Sequence, residues 1–265
     1  MEALFLPADD GQRLLICHRA QGVTRGGVLY VPPFAEEMNK ARRMANVQAR
    51  VLAQAGWTVA IPDLAGCGDS SGELVDATWQ DWLDDVQRSA AWLRRQADGP
   101  LWLWGLRMGC LLAVDASRHD ATLRRLLLWQ PPVTGKPLLR QFLRPRMAEA
   151  LERGAHRGML ERLLAQLAEG ETVEVAGYEI SPSLAAAIEA ATLDPPVGPG
   201  LLLWREVARE AADALAPAGQ SNREHWARAG WRLDAGVRQG PAFWQSTEIE
   251  CAPALLEPSL PDRLP

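Results

Sequence analysis

The residues that most directly suggest chemistry lie at a turn between an apolar run and a helical stretch. Residues 101–104 are apolar and follow Gly99-Pro100, and a helical pattern begins at Cys110. The turn between them, residues 105–109, has the sequence GLRMG. Flanking glycines of this kind permit a nucleophile elbow, a strained bend that lifts its central side chain above the edge of a sheet. The sequence therefore predicts such an elbow with Arg107 at its centre.

An arginine cannot do the work of the serine that such a turn normally carries. A serine nucleophile needs a base on one side and oxyanion donors on the other. The guanidinium of Arg107 stays protonated and offers no lone pair to a carbonyl carbon. Acyl-enzyme chemistry of the serine type is thus excluded at this turn.

The histidine base is also missing from its expected place. In folds with this elbow, the histidine follows the last strand of the sheet. The four histidines are His18, His119, His156 and His225, and all precede the last predicted strand, which starts near Trp231. The segment that follows, residues 240–245, is GPAFWQ. We therefore interpret His225 as a surface or capping residue, since only a rearranged chain ending would bring it to the elbow.

Arg107 needs an anionic partner, because the positive end of the following helix dipole disfavours a cation by up to about 1 kcal/mol. Glu36 and Glu37 come just after one predicted strand, and Glu206 follows another. Glu206 fits either the acid position of a triad or a solvated carboxylate at a helix start. The candidate site residues are Arg107, Glu36, Glu37 and Glu206, with the backbone amides of Phe34 and Met108 as oxyanion donors.

Three functions of Arg107 follow from these residues. An internal ion pair would plug the site and leave the domain as a non-catalytic surface for a protein partner. Alternatively, the guanidinium grips a carboxylate or phosphate of a small anionic ligand, since it forms bidentate bonds to both. In the third, Glu36 or Glu37 activates water while Arg107 and the two amides stabilise the oxyanion.

The pattern of short apolar runs and amphipathic helices predicts an α/β fold with a mostly parallel sheet flanked by helices. Helices are expected from residue 36 to 55, after Thr78 and from Cys110, and a tight loop over residues 63–72. Residues 137–196 are Arg-, Ala- and Leu-rich with only a weak strand at 173–180, so we expect a helical lid inserted in a single domain, 1–265. The predicted strands are 28–31, 58–61, 101–104, 126–129, 201–204 and 231–237.

The composition and motifs of the chain limit the kinds of ligand and partner that we expect it to bind. The formal net charge is −5, which gives no general attraction to nucleic acid. Four scattered cysteines lack metal or redox spacing, and neither a dinucleotide nor a P-loop motif is complete, so we expect no metal and no cofactor. No leader or apolar stretch of spanning length is apparent, so we expect a cytoplasmic protein without membrane insertion. Trp102, Trp104, Trp129 and Trp204 lie in apolar runs and are expected in the core.

Residues 31–40 (VPPFAEEMNK), the 63–72 loop and the 105–109 turn together resemble the second α/β-hydrolase-type protein associated with the exosortase A system. The similarity extends over most of the chain and is weakest in the predicted lid. It implies an α/β-hydrolase fold, an ester or acyl hydrolase by family, and a setting of exopolysaccharide production and PEP-CTERM protein sorting. It also implies an exosortase-system component as a partner. The catalytic serine and histidine of the superfamily do not carry over, because neither position matches.

Overall fold

The computed structural model describes residues 1–147 and 158–263, so His156 lies outside the described residues. The apolar runs form strands, most of which are longer than predicted because residues that flank the runs also join the sheet. The strands are β1 (Glu2–Ala8), β2 (Gly11–His18), β3 (Gly26–Val31), β4 (Trp57–Pro62), β5 (Leu101–Leu106), β6 (Arg125–Trp129), β7 (Val173–Val175), β8 (Tyr178–Ile180), β9 (Leu201–Ala208) and β10 (Arg232–Gln239).

One large sheet has the strand order β1-β2-β4-β3-β5-β6-β9-β10. The β1–β2 and β2–β4 pairs are antiparallel, and the pairs from β4 to β10 are parallel. Every residue of β3, β4 and β5 is buried, as expected for parallel strands covered on both faces. The predicted fold class, a mostly parallel sheet flanked by helices, is confirmed.

Helices cover both faces of this sheet. The apolar side of α1 packs on one face with β3 and β4, while α2 and α3 pack on the other. Thr78 caps α2 through a reciprocal capping box with Asp81, as its position predicts. Among the described helices, none is both long and apolar enough to span a bilayer. The helices are α1 (Ala35–Gln54), α2 (Trp79–Arg94), α3 (Met108–His119), α4 (Lys136–Phe142), α5 (Met159–Ala168), α6 (Pro182–Ala190) and α7 (Pro217–Arg228).

The core contains the tryptophans that the apolar runs placed there. Trp102, Trp104, Trp129 and Trp204 are at most 2% exposed, which confirms their predicted packing role. The segment after β10 closes the same face as α1. There, Ser259 accepts a hydrogen bond from the indole of Trp129 at 2.8 Å.

The β1–β2 hairpin and α7 were not predicted. β1 has the sequence EALFLPA, of which only Leu6 is buried because the strand lies at the edge of the sheet. The predicted insertion, residues 137–196, follows β6 and precedes β9. Its described parts are α4, α5, α6 and the β7–β8 hairpin, which forms where the weak strand signal at 173–180 lies. Its role as a lid, and the single-domain organisation, stay predictions.

Candidate functional site

The turn between β5 and α3 has the backbone of an elbow. Arg107 adopts φ 55° and ψ −118°, a conformation that is uncommon for any residue with a side chain. Its amide donates to the carbonyl of Trp129 at 3.0 Å, which ties the turn to the neighbouring strand β6. The predicted strand, bend and helix are therefore present, with Arg107 at the centre of the bend.

The two flanking glycines are required by close packing. A Cβ atom at Gly105 would lie 2.6 Å from the Cα atom of Cys110 in α3. A Cβ atom at Gly109 would lie 2.0 Å from the carbonyl oxygen of Val31, at the end of β3. Neither contact is compatible with a side chain, so these glycines allow α3 to start against the ends of two strands.

Arg107 is held by two side chains from different parts of the chain. Its Nε donates to Oε1 of Glu37 at 3.3 Å, and its Nη2 donates to Oε1 of Gln141 at 2.7 Å. The amide of Gln141 in turn donates to Oε1 of Glu37 at 3.0 Å. The three side chains form a closed set of hydrogen bonds, in which α1 supplies the carboxylate and α4 supplies the amide.

An aromatic ring completes the surroundings of the guanidinium. The Cζ atom of Arg107 lies 5.6 Å from the centroid of a Trp244 ring, within the range of a cation–π contact. Trp244 belongs to the segment after β10, the part of the chain in which the superfamily carries its histidine. Trp244 and Arg107 are thus in contact, and neither side chain can act as the serine or the histidine of a catalytic pair.

The ion pair is largely removed from solvent. The side chain of Arg107 is 12% exposed and that of Glu37 is 18% exposed. Burial raises the pKa of Glu37, and this effect is opposed by the charge of Arg107 and by hydrogen bonds from Arg107 and Gln141. Glu37 also lies in the first turn of α1, where the helix dipole favours a carboxylate.

The other two predicted acids do not bind Arg107. Glu36 is 57% exposed and pairs with Lys40 at 3.6 Å. The expectation that Glu206 approaches Arg107 is not met, because β9 continues to Ala208 and holds Glu206 inside the strand. Its carboxylate accepts hydrogen bonds from the Trp204 indole at 3.0 Å and from the Ala216 amide at 3.4 Å, and burial raises its pKa.

The two predicted oxyanion amides belong to residues beside the elbow. Phe34 directly precedes α1, and Met108 is the first residue of α3. Ala35, between Phe34 and the glutamates, has φ 52°, a second non-glycine residue in the left-handed region. The oxyanion function of the two amides stays a prediction. His225 is exposed in the last turn of α7, in agreement with its interpretation as a surface residue.

A cavity of about 430 Å³ lies beside this ion pair, and Glu37 lines it whereas Arg107 does not. Sequence reasoning missed Gln141 and most of the cavity wall, because these residues belong to the predicted lid and carry no motif. Among the described residues, no group of three or more His, Cys, Asp or Glu side chains is placed to hold a metal. The cavity is lined by Phe34, Ala35, Glu36, Glu37, Lys40, Leu138, Gln141, Phe142, Arg144, Pro145, Val175, Ala176, Tyr178, Trp244 and Gln245.

The strand order, the elbow and the position of the cavity define an α/β-hydrolase fold. The family model described as serine aminopeptidase, S33 (Hydrolase_4), matches residues 24–194, so the chain belongs to this family. A curated relative is the thermostable monoacylglycerol lipase of Bacillus sp. (strain H-257), which is 30% identical over 93 residues. That alignment spans 35% of this chain and 35% of the lipase.

Solved structures of esterases share the fold. Est1E from Butyrivibrio proteoclasticus, with ferulic acid bound, has a TM-score of 0.61 at 12% identity and covers 89% of both chains. A thermostable carboxyl esterase from Bacillus coagulans has a TM-score of 0.60 at 16% identity and covers 90% of both chains. Mouse alpha/beta hydrolase domain-containing protein 10 has a TM-score of 0.55 at 15% identity, covering 91% of this chain and 90% of its own.

Proposed function

We propose that this chain is a non-catalytic member of its hydrolase family that binds a small amphipathic anion in the cavity beside Glu37. One observation carries the proposal. The side chain at the elbow is a cation that Glu37, Gln141 and Trp244 already engage. These three partners of Arg107 line the cavity, so the elbow cation holds the cavity wall in place and no nucleophile is present at the elbow.

The cavity walls favour an apolar body on the ligand. Rings of Phe34, Phe142, Tyr178 and Trp244 line it, together with five aliphatic side chains, Ala35, Leu138, Pro145, Val175 and Ala176. A volume of about 430 Å³ is typical of sites for small molecules. An acyl chain or an aromatic ring would displace water from these walls and gain the free energy of apolar burial.

The charges around the cavity favour an acidic head group. Glu37 is paired with Arg107, and Glu36 is paired with Lys40. Arg144 also lines the cavity and has no carboxylate partner in the described part of the chain. We therefore assign Arg144 to the head group of the ligand, since a guanidinium binds a carboxylate or phosphate through paired hydrogen bonds.

Calorimetric titration with decanoate, decanol and decylamine tests this function. We expect decanoate to bind best, and Arg144→Gln to weaken it by about tenfold, as for loss of one charge-assisted hydrogen bond. The matched control is Arg140→Gln, because Arg140 is exposed in α4, four residues before Arg144, and does not line the cavity. If all three compounds bind alike, or if both variants weaken decanoate equally, the assignment of the head group is wrong.

The pKa of Glu37 favours a second function, hydrolysis without a covalent intermediate. A carboxylate whose pKa is raised by burial is a better general base than an exposed one. Glu37 would take a proton from water as the water oxygen attacks an ester carbonyl. It would return that proton to the alkoxide as the ester C–O bond breaks, so that the acid and the alcohol are released. Short p-nitrophenyl esters test this, and activity that survives in Arg140→Gln but is lost in Glu37→Gln would establish it.

A labelling experiment distinguishes both of these functions from hydrolysis by an activated serine. A fluorophosphonate probe attaches to an activated serine, and Arg107 leaves none at the elbow. We therefore expect the purified chain to stay unlabelled. None of the residues that line the cavity is a serine, so labelling of the chain at any serine would contradict both functions proposed above.

The exosortase association, the cytoplasmic location and a protein partner stay predictions. They rest on the similarity of residues 31–40, 63–72 and 105–109 to the exosortase-associated family. In that setting, an acidic intermediate of exopolysaccharide metabolism or the carboxylate of a processed peptide would suit the cavity. Capture of an exosortase-system component by the purified chain, compared between the wild type and Arg144→Gln, tests whether this cavity is the point of contact.

A further inference from the structure

A second cleft lies at the amino-terminal ends of β6, β9 and β10 and is bounded by three arginines. It has a volume of about 590 Å³ and is lined by Arg124, Arg125 and Arg232 together with Thr122, Gly200 and Leu201. Arg125 begins β6, Leu201 begins β9 and Arg232 begins β10. The elbow, by contrast, follows the carboxyl end of β5, so the two sites lie at opposite ends of the parallel strands.

The sheet fixes the spacing of two of these cations. Arg125 and Arg232 both pair in register with Leu201, one on each side of it. Their Cα atoms are therefore two strand spacings apart, about 10 Å. In-register neighbours project to the same face of a sheet, so both guanidinium groups flank the apolar side chain of Leu201 on one face. That separation suits a ligand with two linked anionic groups.

The third cation is positioned by the loop before β9. The carbonyl of Arg124 accepts the amide of Leu201 at 2.9 Å, which ties Arg124 to the start of that strand. A Cβ atom at Gly198 would lie 2.6 Å from Nη1 of Arg124, so the missing side chain makes room for the guanidinium. The Nε of Arg124 is buried and has no hydrogen-bond partner in the described part of the chain.

The cations of the cleft are not neutralised by the protein. Within the described ranges, no carboxylate forms an ion pair with Arg124, Arg125 or Arg232. Asp120, which is close in sequence, is engaged by Arg94 at 2.9 Å. Three converging positive charges without a counter-charge cost electrostatic free energy, and a bound polyanion would recover it.

We infer that this cleft binds the pyrophosphate group of a small phosphorylated molecule. Guanidinium groups bind phosphate oxygens through paired hydrogen bonds, and three permanent cations match a ligand with several negative charges better than a single carboxylate. The lining contains no aromatic side chain, so the site recognises the phosphates and has no stacking platform for a nucleobase. The inference is independent of the function proposed for the cavity beside Glu37.

Titration calorimetry of the full chain with inorganic pyrophosphate tests the inference. We expect pyrophosphate to bind more tightly than monophosphate, and affinity to fall as salt rises. Arg124→Gln and Arg232→Gln should each weaken pyrophosphate by about tenfold or more, as for loss of a charge-assisted hydrogen bond. Arg95→Gln is the matched control, because Arg95 is exposed at the end of α2 and does not line the cleft.

Four results would overturn the inference. The first is the absence of heat on titration with pyrophosphate at low ionic strength. The second is an equal loss of affinity in Arg95→Gln, which would indicate a general effect of net charge. The third is tighter binding of poly-glutamate than of pyrophosphate, which would identify an acidic polypeptide as the occupant. The fourth is loss of pyrophosphate binding in Arg144→Gln, which would place the anion in the other cavity.

Discussion

Replacing Arg107 by methionine tests whether the elbow cation is neutralised inside the protein. Methionine keeps much of the length of arginine and the same backbone demand at φ 55°, but it removes the charge. Glu37 would then be a carboxylate that is only 18% exposed and has lost its cation. Gln141 would still donate one hydrogen bond to it at 3.0 Å.

The expected loss of stability follows from the burial of this pair. Breaking a fully buried ion pair by removing one partner costs about 3–5 kcal/mol. Because Arg107 and Glu37 keep 12% and 18% exposure, and because Gln141 remains, we expect about 2–3 kcal/mol for Arg107→Met. The double variant Arg107→Met/Glu37→Gln carries no unpaired charge and should recover most of this loss, giving a coupling free energy of about 2 kcal/mol.

The pH dependence has a defined sign. Burial raises the pKa of Glu37 above 4.5 in the folded state, and loss of the Arg107 charge would raise it further. A carboxyl group whose pKa is raised on folding stabilises the folded state at low pH, and this contribution is lost as pH rises through the folded-state pKa. The deficit of Arg107→Met should therefore shrink as the pH is lowered toward 4.5, whereas that of the double variant should not shrink, because it has no carboxyl group at position 37.

Urea denaturation of the four proteins of the cycle, at several pH values, measures both effects. Strictly additive free energies for Arg107→Met and Glu37→Gln would show that the two side chains do not interact in solution. A deficit of Arg107→Met that does not change with pH would lead to the same conclusion. Either result would refute the assignment of the elbow as an internally paired site.

Other substitutions test the parts of the fold that position the site. Gly109→Ala places a Cβ atom 2.0 Å from a backbone carbonyl oxygen, and we expect the free energy of unfolding in the urea assay to fall by more than about 3 kcal/mol. Gly170→Ala is the control, because Gly170 has φ 91° but no atom within 4 Å of an added Cβ, and we expect it to cost about 1 kcal/mol. Similar losses for both would contradict the packing argument. Thr78→Ala removes the capping box of α2 and should cost about 1 kcal/mol, seen as a lower thermal midpoint, while an unchanged midpoint would argue against the cap. Asp85→Asn leaves Arg13, 3% exposed, without its main partner and should cost about 3 kcal/mol; a loss below that of Thr78→Ala would show that this pair is more hydrated than its burial indicates.

The central sheet and the elbow were predictable because their signals are local. Apolar runs bounded by glycine and proline locate β3, β4, β5, β6 and β9, and the GLRMG turn locates the bend. The edge hairpin β1–β2 was not predicted, although its strands carry short apolar runs at residues 4–6 and 14–17. Short runs of this kind do not by themselves distinguish a strand from a helical segment. The extent of β9 was underestimated because its polar end is held by pairing with β10, which no local pattern reveals.

The site was predicted in part, for the same reason. The charge of Arg107 requires a nearby anion, and Glu37 is a candidate because it follows β3. In the structure, the Nε atom of Arg107 lies 3.3 Å from Oε1 of Glu37. The choice between Glu36 and Glu37 depended on the rotation of α1, and Glu36 faces solvent. Gln141 and Trp244 are separated from Arg107 by 34 and 137 residues, so only the folded chain brings them to it.

The bend at residues 105–109 depends on its two glycines and on the strands they touch, and the central side chain takes no part in shaping it. Exchange of that side chain therefore alters reactivity while the scaffold is preserved. Installing a serine at Arg107 and a histidine at Trp244 would place the two missing groups on a backbone that is already bent for them. The protein is in this sense a starting point for building an esterase, and turnover by such a double variant would measure how much of catalysis the backbone alone retains.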